Sequence, residues 1–129
     1  MARGTVIRAA HFPGRAAIEA YGNGGFRFAG MSHRGSILSL PSGVHGWEPA
    51  VAGVITEADL ARVFAEADKI DILLVGTGSD LVRLPPALKA ALKAAGIVAE
   101  PMSTGAAVRT HNVLLAEDRA VAAALLAVA

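Results

Sequence analysis

The spacing of hydrophobic and polar residues changes along this 129-residue chain, and its first third has the two-residue period of β-strands. Two short alternating runs, 18–21 and 26–28, flank the turn Gly22-Asn23-Gly24-Gly25, which is typical of a hairpin with one buried face. A third extended segment, about 32–40, ends at Pro41. A loop is predicted next, with Gly43, Gly46 and Trp47. The first third is therefore predicted to be antiparallel β structure.

A strongly apolar run lies in the middle of the chain. From Ile70 to Val75 there is no polar alternation, and the turn Gly76-Thr77-Gly78 follows directly. Such a run is typical of a strand covered on both faces, so we expect it to lie centrally in a sheet. Ligands of open α/β sheets usually bind at the carboxyl ends of strands, which makes this turn a candidate pocket edge.

Helix signals occur on both sides of this strand. Thr56 precedes Asp59 by three residues, a spacing that predicts a capped helix start. The pair Pro85-Pro86 opens a second helix that Gly96 ends, and a second buried strand is predicted at 97–99. Strand, helix and strand in this order predict a crossover between two parallel strands. The second half is thus predicted to be an α/β unit.

The last quarter of the chain is predicted to be helical. From Ser103 on, the apolar positions cover a wide arc and leave Arg109 and Asn112, one turn apart, as a narrow polar stripe. An unpaired charge on a mostly buried helix costs on the order of several kcal/mol, so we expect Arg109 to meet an acidic side chain or a ligand. The apolar run 120–129 is predicted to form a last helix docked on the core, because a membrane span needs about 20 residues.

Composition narrows the class of protein. Hydrophobic residues make up 53% and aromatic residues 5% of the chain, so we expect one aliphatic domain over 1–129, with 1–16 as an N-terminal arm. The absence of cysteine excludes disulfides and thiolate sites, and it suits a reducing cytoplasmic location. A net charge of +1 provides no electrostatic argument for nucleic acid.

Three kinds of chemistry can be compared with known motifs. The Gly76-Thr77-Gly78 turn lacks the third glycine of a dinucleotide fingerprint, whose position is taken by Leu81, and no helix opens at the turn. The four histidines show no ligand pair, so no metal site is predicted. Ser79 and Asp80 could be combined with His111 for nucleophilic catalysis, but His111 falls on the apolar arc and is predicted to be a core residue. We predict no cofactor and no catalytic residue.

One candidate ligand site is left after this comparison. It lies between the glycine turn and the polar stripe of the predicted helix. Its residues are Gly76, Thr77, Gly78, Ser79, Asp80, Glu100, Arg109 and Asn112. The structural alternative is an internal ion pair between Arg109 and Asp80, Glu100 or Glu117 that clamps the helix to the loop.

An ordered series of short motifs resembles one known family over residues 17–129. The motifs are Gly35-Ser36-Ile37-Leu38, Pro41, Trp47, Leu74-Val75-Gly76-Thr77-Gly78, Leu84-Pro85, Gly96-Ile97, Glu100-Pro101-Met102-Ser103-Thr104, Ala107, Arg109-Thr110-His111-Asn112-Val113-Leu114 and Glu117-Asp118-Arg119. The series is similar to the uncharacterised-domain family of mitochondrial complex I assembly factor 3 and the adipogenesis-associated Mth-domain protein. The resemblance implies a single three-layer α/β domain with a mixed central sheet. It implies no particular reaction, since none is established for the family as a whole. It also implies an aromatic residue, often tyrosine, at position 111, which favours a packing role for His111.

Two hypotheses of function follow. The first is a non-enzymatic soluble domain that binds other proteins as an assembly or accessory factor, without nucleic acid binding or membrane insertion. Whether the chain forms a homo-oligomer stays an open question. The second is a small-molecule protein or enzyme that takes an anion in the cleft between the Gly76-Gly78 loop and Arg109 and Asn112.

Overall fold

The computed structural model describes residues 12–49 and 54–129. The N-terminal arm predicted over 1–16 therefore lies outside the described residues, except for 12–16. The strands are β1 (Phe12–Pro13), β2 (Ile18–Gly22), β3 (Gly25–Phe28), β4 (Met31–Arg34), β5 (Ser36–Leu40), β6 (Gly43–Trp47), β7 (Ile72–Gly76), β8 (Val98–Met102) and β9 (Val121–Leu125). The helices are α1 (Ala61–Ala65), α2 (Pro86–Ala94) and α3 (Thr104–Ala116), with 3-10 turns at Ala58–Leu60 and Ala67–Lys69.

Two sheets and three helices form three layers. The larger sheet has the strand order β1-β6-β5-β9-β7-β8, and β2, β3 and β4 form a separate antiparallel sheet. Strands β7, β8 and β9 are parallel to one another, whereas β5 runs antiparallel to β9 and β6. Helices α1 and α2 contribute to the apolar cluster on one face of the large sheet. Helix α3 and the small sheet contribute to the cluster on the other face. This confirms the predicted mixed α/β architecture.

The predicted N-terminal β structure is confirmed, with two corrections to its extent. The segment predicted as one strand over 32–40 is divided at Gly35, which has a φ of 99°, so β4 and β5 belong to different sheets. The positive φ lets the chain turn sharply from one layer to the next. The loop predicted around Trp47 is strand β6, because its backbone pairs with β5 from Gly43 to Trp47. Trp47 is buried in the core, and its indole Nε1 donates to the carbonyl oxygen of Asp59 at 2.7 Å.

The predicted α/β unit is confirmed. The Thr56 amide donates to the Asp59 carboxylate at 2.9 Å, as expected for the predicted cap, and a 3-10 turn leads into α1. Pro85 and Pro86 begin α2, and Gly96 follows its end with a φ of 86°. Strand β7 is an interior strand between β8 and β9. Strand β8 lies at the edge of the large sheet and was predicted to be buried. The face that carries Val98 is open to solvent, since Val98 is 57% exposed.

The predicted final helix is wrong, because Val121–Leu125 forms strand β9 in the middle of the large sheet. It pairs with β5 on one side and with β7 on the other, and all five of its residues are buried. Alanine favours helices in isolation, but a strand in this position has every backbone group within reach of a neighbouring ladder. The small side chains of Ala122, Ala123 and Ala124 also let layers approach closely on both faces of the sheet. Tertiary pairing therefore overrides local helix propensity here.

Candidate functional site

The loop after β7 is held by the buried side chain of Thr77. Its hydroxyl donates to the carbonyl oxygen of Asp80 at 2.7 Å, lies 3.1 Å from that of Met102, and accepts from the amide of Val82 at 3.0 Å. Thr77 is 5% exposed, so these contacts are intramolecular and shielded from water. They fix the loop 77–82 against the end of β8.

A second buried threonine joins three elements at the same edge of the sheet. The Thr104 hydroxyl accepts from the Gly78 amide at 3.0 Å and donates to the carbonyl oxygen of Leu126 at 2.7 Å. Thr104 is the first residue of α3, which Ser103 caps by accepting from the Ala106 amide. Gly78 has a φ of 101°, a left-handed conformation that favours glycine. The loop after β7, the start of α3 and the segment after β9 are thus connected rigidly.

A cleft of about 270 Å³ opens beside this junction, at the carboxyl ends of the parallel strands. It is lined by Tyr21, Gly78, Ser79, Ser103, Gly105, Arg109, Val128 and Ala129. The absence of a side chain at Gly105 leaves room for the Tyr21 ring, since a Cβ at that position would overlap the Tyr21 hydroxyl. The cleft combines hydroxyl groups with one guanidinium, an arrangement that can donate hydrogen bonds to an anion.

Of the eight predicted site residues, the structure brings three to the cleft: Gly78, Ser79 and Arg109. Thr77 is buried and uses its hydroxyl inside the loop. Gly76 is also buried and packs closely on α3: a Cβ at this position would stand 3.0 Å from the Thr104 Cα. Asp80 and Glu100 are exposed but do not line the cleft.

Asn112, the last predicted site residue, anchors the small sheet to α3. Its Oδ1 accepts from the Ile18 amide and its Nδ2 donates to the Ile18 carbonyl oxygen, both at 2.9 Å. Both ends of the amide are therefore engaged by the backbone at the start of β2. This pairing is a structural role that leaves no part of the side chain for the cleft.

The helix is less buried around Arg109 than the sequence indicated, and the internal ion pair given as the structural alternative does not form among the described residues. Arg109 lies on the exposed side of α3, and within 12–49 and 54–129 it forms no ion pair with Asp80, Glu100 or Glu117. The core face of α3 consists of Thr104, Ala107, Val108 and His111 instead. Because an exposed guanidinium keeps its hydration, it requires no internal partner.

The predicted core position of His111 is confirmed, since the residue is 1% exposed. Its Nδ1 lies 3.1 Å from Asn112 Oδ1 and its Nε2 lies 3.2 Å from Ser39 Oγ. Burial lowers the pKa of His111 below its ordinary value of 6.5; the hydrogen bond to Asn112 opposes this shift, and the Arg15 charge adds to it. Ser79 and Asp80 lie at the surface, so the structure does not combine them with this imidazole.

The sequence reasoning missed Tyr21 and the outer face of the small sheet. A cleft of about 470 Å³ lies there, and its lining includes Tyr21, Arg27, His33 and Arg34. The register pairs Tyr21 with Phe26 and Arg27 with Ala20, with an irregularity between Ile18 and Ala20, so the simple two-residue period of the hairpin does not reveal where Tyr21 points. Among the described residues no group of three or more histidine or acidic side chains could hold a metal ion. Nor do these residues include a helix long and apolar enough to cross a membrane.

Comparison with known proteins decides the family. The family model described as "Protein of unknown function (DUF498/DUF598)" matches residues 18–126. The chain belongs to this family. The membership confirms the resemblance found in the sequence motifs.

Relatives of this DUF498/DUF598 chain include bacterial and animal proteins. An uncharacterised protein of Rhodobacter capsulatus is 44% identical over 89% of this chain and 87% of its own length. The protein named NADH dehydrogenase [ubiquinone] 1 alpha subcomplex assembly factor 3 of Mus musculus is 33% identical over 89% of this chain. The chain spans 62% of the length of that mouse protein.

Solved structures show the same DUF498/DUF598 fold. One is a crystal structure described as an outer membrane protein from Bartonella henselae, with a TM-score of 0.89 and 60% identity over 92% of this chain and 100% of that one. Another is a solution structure of a Mth938-like domain from Bordetella pertussis, with a TM-score of 0.75 and 27% identity over 98% of this chain and 92% of that one.

Proposed function

We propose that this chain is a non-enzymatic protein-binding domain that acts as an assembly or accessory factor. The observation that carries the proposal is the display of two large apolar side chains on the loop that Thr77 holds in place. Leu81 is 62% exposed and Val82 is 41% exposed, next to Ser79 at the rim of the cleft. Apolar side chains on a preorganised loop fit the anchor residues of protein interfaces.

The hydrogen bonds of the loop give this display its significance. A single exposed apolar residue is ordinary on a protein surface. Here the Val82 amide is bound to the Thr77 hydroxyl at 3.0 Å, so the backbone that carries the pair is held in one conformation. Covering a side chain of this size contributes about 1.5–3 kcal/mol when it leaves water, and a fixed loop loses little entropy on binding.

The relatives support the same class of function. The mouse relative is named an assembly factor of NADH dehydrogenase, and such a factor acts on other proteins. The proposal transfers to this chain the general role, contact with protein partners during assembly. It also includes the cytoplasmic location expected from the sequence, which fractionation of cells that express the tagged chain would test against a membrane-associated pool.

Affinity capture with a loop variant tests the proposal. The tagged wild-type chain and the double variant Leu81→Ser/Val82→Ser are used to capture proteins from native lysate, and the recovered proteins are quantified by mass spectrometry. We expect one or a few proteins that the wild type enriches and the variant loses by about tenfold, since two anchors of about 1 kcal/mol or more are removed. Reproducible recovery of no protein would contradict the protein-binding function.

A matched control separates this loop from general surface hydrophobicity. Val98 and Val113 are each 57% exposed, and Val98 lies at the opposite end of β8 from the loop. The variant Val98→Ser/Val113→Ser should retain the captured proteins. If it loses them as strongly as the loop variant does, the assignment of the contact to Leu81 and Val82 is wrong.

Anion binding is the second candidate function, and the convergence of Ser79, Ser103 and Arg109 on one cleft favours it. The site differs from the predicted one, because Thr77 and Asn112 use their polar groups internally. Thermal-shift measurements with inorganic phosphate, nucleotides and small carboxylates test this candidate. Stabilisation that Arg109→Ala abolishes and Arg62→Ala retains would support it, and the absence of stabilisation by every compound would exclude it.

A further inference from the structure

Strand β4 is an edge of the small sheet, and part of its backbone points away from the sheet. The Gly35 amide donates to the Gly24 carbonyl oxygen at 2.7 Å, which fixes the alternation of hydrogen bonds between β3 and β4. In this alternation His33 bonds to β3, so the amide and carbonyl groups of Ser32 and Arg34 face outward. Within the described ranges no backbone or side-chain group bonds to these four groups.

The other three sheet edges of the described structure are obstructed. Pro13 in β1 and Pro101 in β8 face outward, since the residue after each of them bonds to the neighbouring strand. Proline has no amide hydrogen, which hinders the pairing of a further strand at these positions. Beside β2 lies helix α3, whose Asn112 occupies both backbone groups of Ile18. Strand β4 is therefore the edge that offers donors and acceptors to another strand.

Two arginine side chains lie beside this edge, on the outer face of the small sheet. The register pairs Arg27 with Ser32, and Arg34 follows Ser32 by two residues, so all three share the face opposite the apolar cluster. Arg27 Nη1 donates to Ser32 Oγ at 3.0 Å, so this guanidinium reaches across to the edge strand. Its Nε lies 3.4 Å from the Glu19 carboxylate, whereas Arg34 forms no ion pair within 12–49 and 54–129. The edge is thus bordered by positive charge on one face.

From this arrangement we infer that β4 pairs with an extended segment of a protein partner that carries acidic residues at alternate positions. The inference rests on the proposed protein-binding function and specifies the chemistry of one contact. In an antiparallel pairing, which the small sheet already uses, the partner residues opposite Ser32 and Arg34 bond to their backbones and direct their side chains to the arginine face. Carboxylates at these two positions meet Arg27 and Arg34.

A second copy of this chain fits the edge less well. Strand β4 has four residues. Two such strands side by side, each about 14 Å long at 3.4 Å per residue, bury far less than the roughly 1,200 Å² of a stable interface. Self-pairing would also place Arg27 and Arg34 of both copies on one face, where like charges repel. An extended acidic segment needs only the length of the edge and neutralises these charges.

Fluorescence polarisation with defined peptides tests the inference. The probes are a labelled peptide of alternating Glu and Val, its Gln-Val counterpart, and two N-methylated forms of the Glu-Val peptide. The Gln-Val peptide should bind about tenfold more weakly, because the attraction of its side chains to the two arginines is lost.

The N-methylated peptides distinguish strand pairing from simple attraction of charges. In the antiparallel pairing the Glu amides point toward β4 and the Val amides point away from it. Methylation of the Glu amides should therefore weaken binding by about tenfold or more, since each removes a hydrogen bond, whereas methylation of the Val amides should leave it nearly unchanged. Both peptides carry the same charge and leave the protein unaltered.

Hydrogen exchange locates the pairing on the protein. The Ser32 and Arg34 amides should exchange quickly in the chain alone and be protected when the Glu-Val peptide is bound, because they then donate to its backbone. The Ile18 amide, which Asn112 already binds, should keep its exchange rate.

Variants of β4 provide a second localisation. Ser32→Pro removes one outward-facing amide and should weaken binding of the Glu-Val peptide by about tenfold, whereas the matched control Ser32→Ala keeps that amide and should bind within about threefold of the wild type. Arg34→Gln should weaken binding by about threefold, and Arg62→Gln, an exposed arginine of α1 on the other face of the large sheet, should not. Circular dichroism checks that each variant is folded.

Several results would overturn the inference. They are no binding of the Glu-Val peptide, equal binding of the Gln-Val peptide, equal effects of the two N-methylations, and unchanged exchange of the Ser32 and Arg34 amides. A dimer that forms with rising concentration and that Ser32→Pro dissociates would show that a second copy occupies the edge instead.

The captured proteins test the proposed function separately. If Ser32→Pro retains them while Leu81→Ser/Val82→Ser loses them, strand addition at β4 is wrong and the protein-binding function stands. If the Glu-Val peptide pairs with β4 but no protein is captured, the proposed function fails independently.

Discussion

Ser39 Oγ lies 3.2 Å from His111 Nε2 although the two residues are 72 positions apart in sequence. The Asn112 amide fixes the direction of this bond, because its Oδ1 and Nδ2 are oriented by the amide and carbonyl of Ile18. Since Oδ1 can only accept, His111 Nδ1 carries the proton and Nε2 accepts from the Ser39 hydroxyl. A buried line of hydrogen bonds thus connects strand β5, helix α3 and strand β2.

Stability should depend on pH through His111. Because burial lowers the pKa of His111 in the folded chain, the unfolded chain binds the proton first as the pH falls through 6.5. The contribution of His111 is therefore fully present above that pH and is lost as the pH falls toward the folded pKa, with a slope of at most about 1.4 kcal/mol per pH unit. Denaturant unfolding of the wild type and of His111→Phe at a series of pH values measures the difference. Parallel pH profiles for the two proteins would contradict the prediction.

Removal of the Ser39 hydroxyl should destabilise the fold. Ser39→Ala leaves the buried Nε2 of His111 without a donor, which we expect to cost about 1–3 kcal/mol in the free energy of unfolding. Ser32→Ala is the matched control, because the Ser32 hydroxyl is exposed and accepts from Arg27 at 3.0 Å. The control should stay within about 0.5 kcal/mol of the wild type. Equal losses in the two variants, measured in denaturant, would show that burial of the Ser39 bond has no effect.

Replacement of Asn112 should loosen the small sheet from α3. Asn112→Ala removes both bonds to the Ile18 backbone, and we expect a loss of about 2 kcal/mol, with faster hydrogen exchange of the Ile18 amide. Asn112→Asp keeps the acceptor for that amide and loses only the donor to the carbonyl oxygen. It should therefore protect the Ile18 amide better than Asn112→Ala does. The reverse order of protection would contradict this account of the anchor.

Two glycines near the start of α3, Gly76 packed against it and Gly105 within it, should respond differently to alanine. At Gly76 an added Cβ stands 3.0 Å from the main-chain Cα of Thr104 and 2.9 Å from Leu125 Cδ2, so Gly76→Ala should cost about 1–3 kcal/mol. At Gly105 the Cβ meets only the end of the partly exposed Tyr21 side chain, which can rotate toward solvent. Gly105→Ala should therefore stay within about 1 kcal/mol of the wild type, helped by the helix propensity of alanine. Thermal unfolding of both variants checks the difference.

The candidate site was only partly predictable, because chemistry in a sequence does not reveal exposure. Thr77 and Ser79 are adjacent hydroxyl residues in the same glycine turn, yet one is buried as a loop anchor and the other lines the cleft. The polar stripe of Arg109 and Asn112 was correct as a pattern. The structure turns Arg109 toward solvent and Asn112 toward the Ile18 backbone. Tyr21 lies far from these residues in sequence and reaches the cleft only because the small sheet packs against α3.

The sequence by itself determined the local elements whose signals are short in range. These are the hairpin of β2 and β3, the proline-initiated helix α2, the start of α3 near Ser103, and the apolar strand β7 with its turn. Backbone restriction by glycine and proline and the side-chain period act within a few residues, so no tertiary contact is needed to read them. Only the tertiary structure decided the fate of Val121–Leu125 and the division of 31–40 between two sheets. An alanine-rich run forms a strand where β5 and β7 offer hydrogen bonds on both sides, and that choice depends on residues distant in sequence.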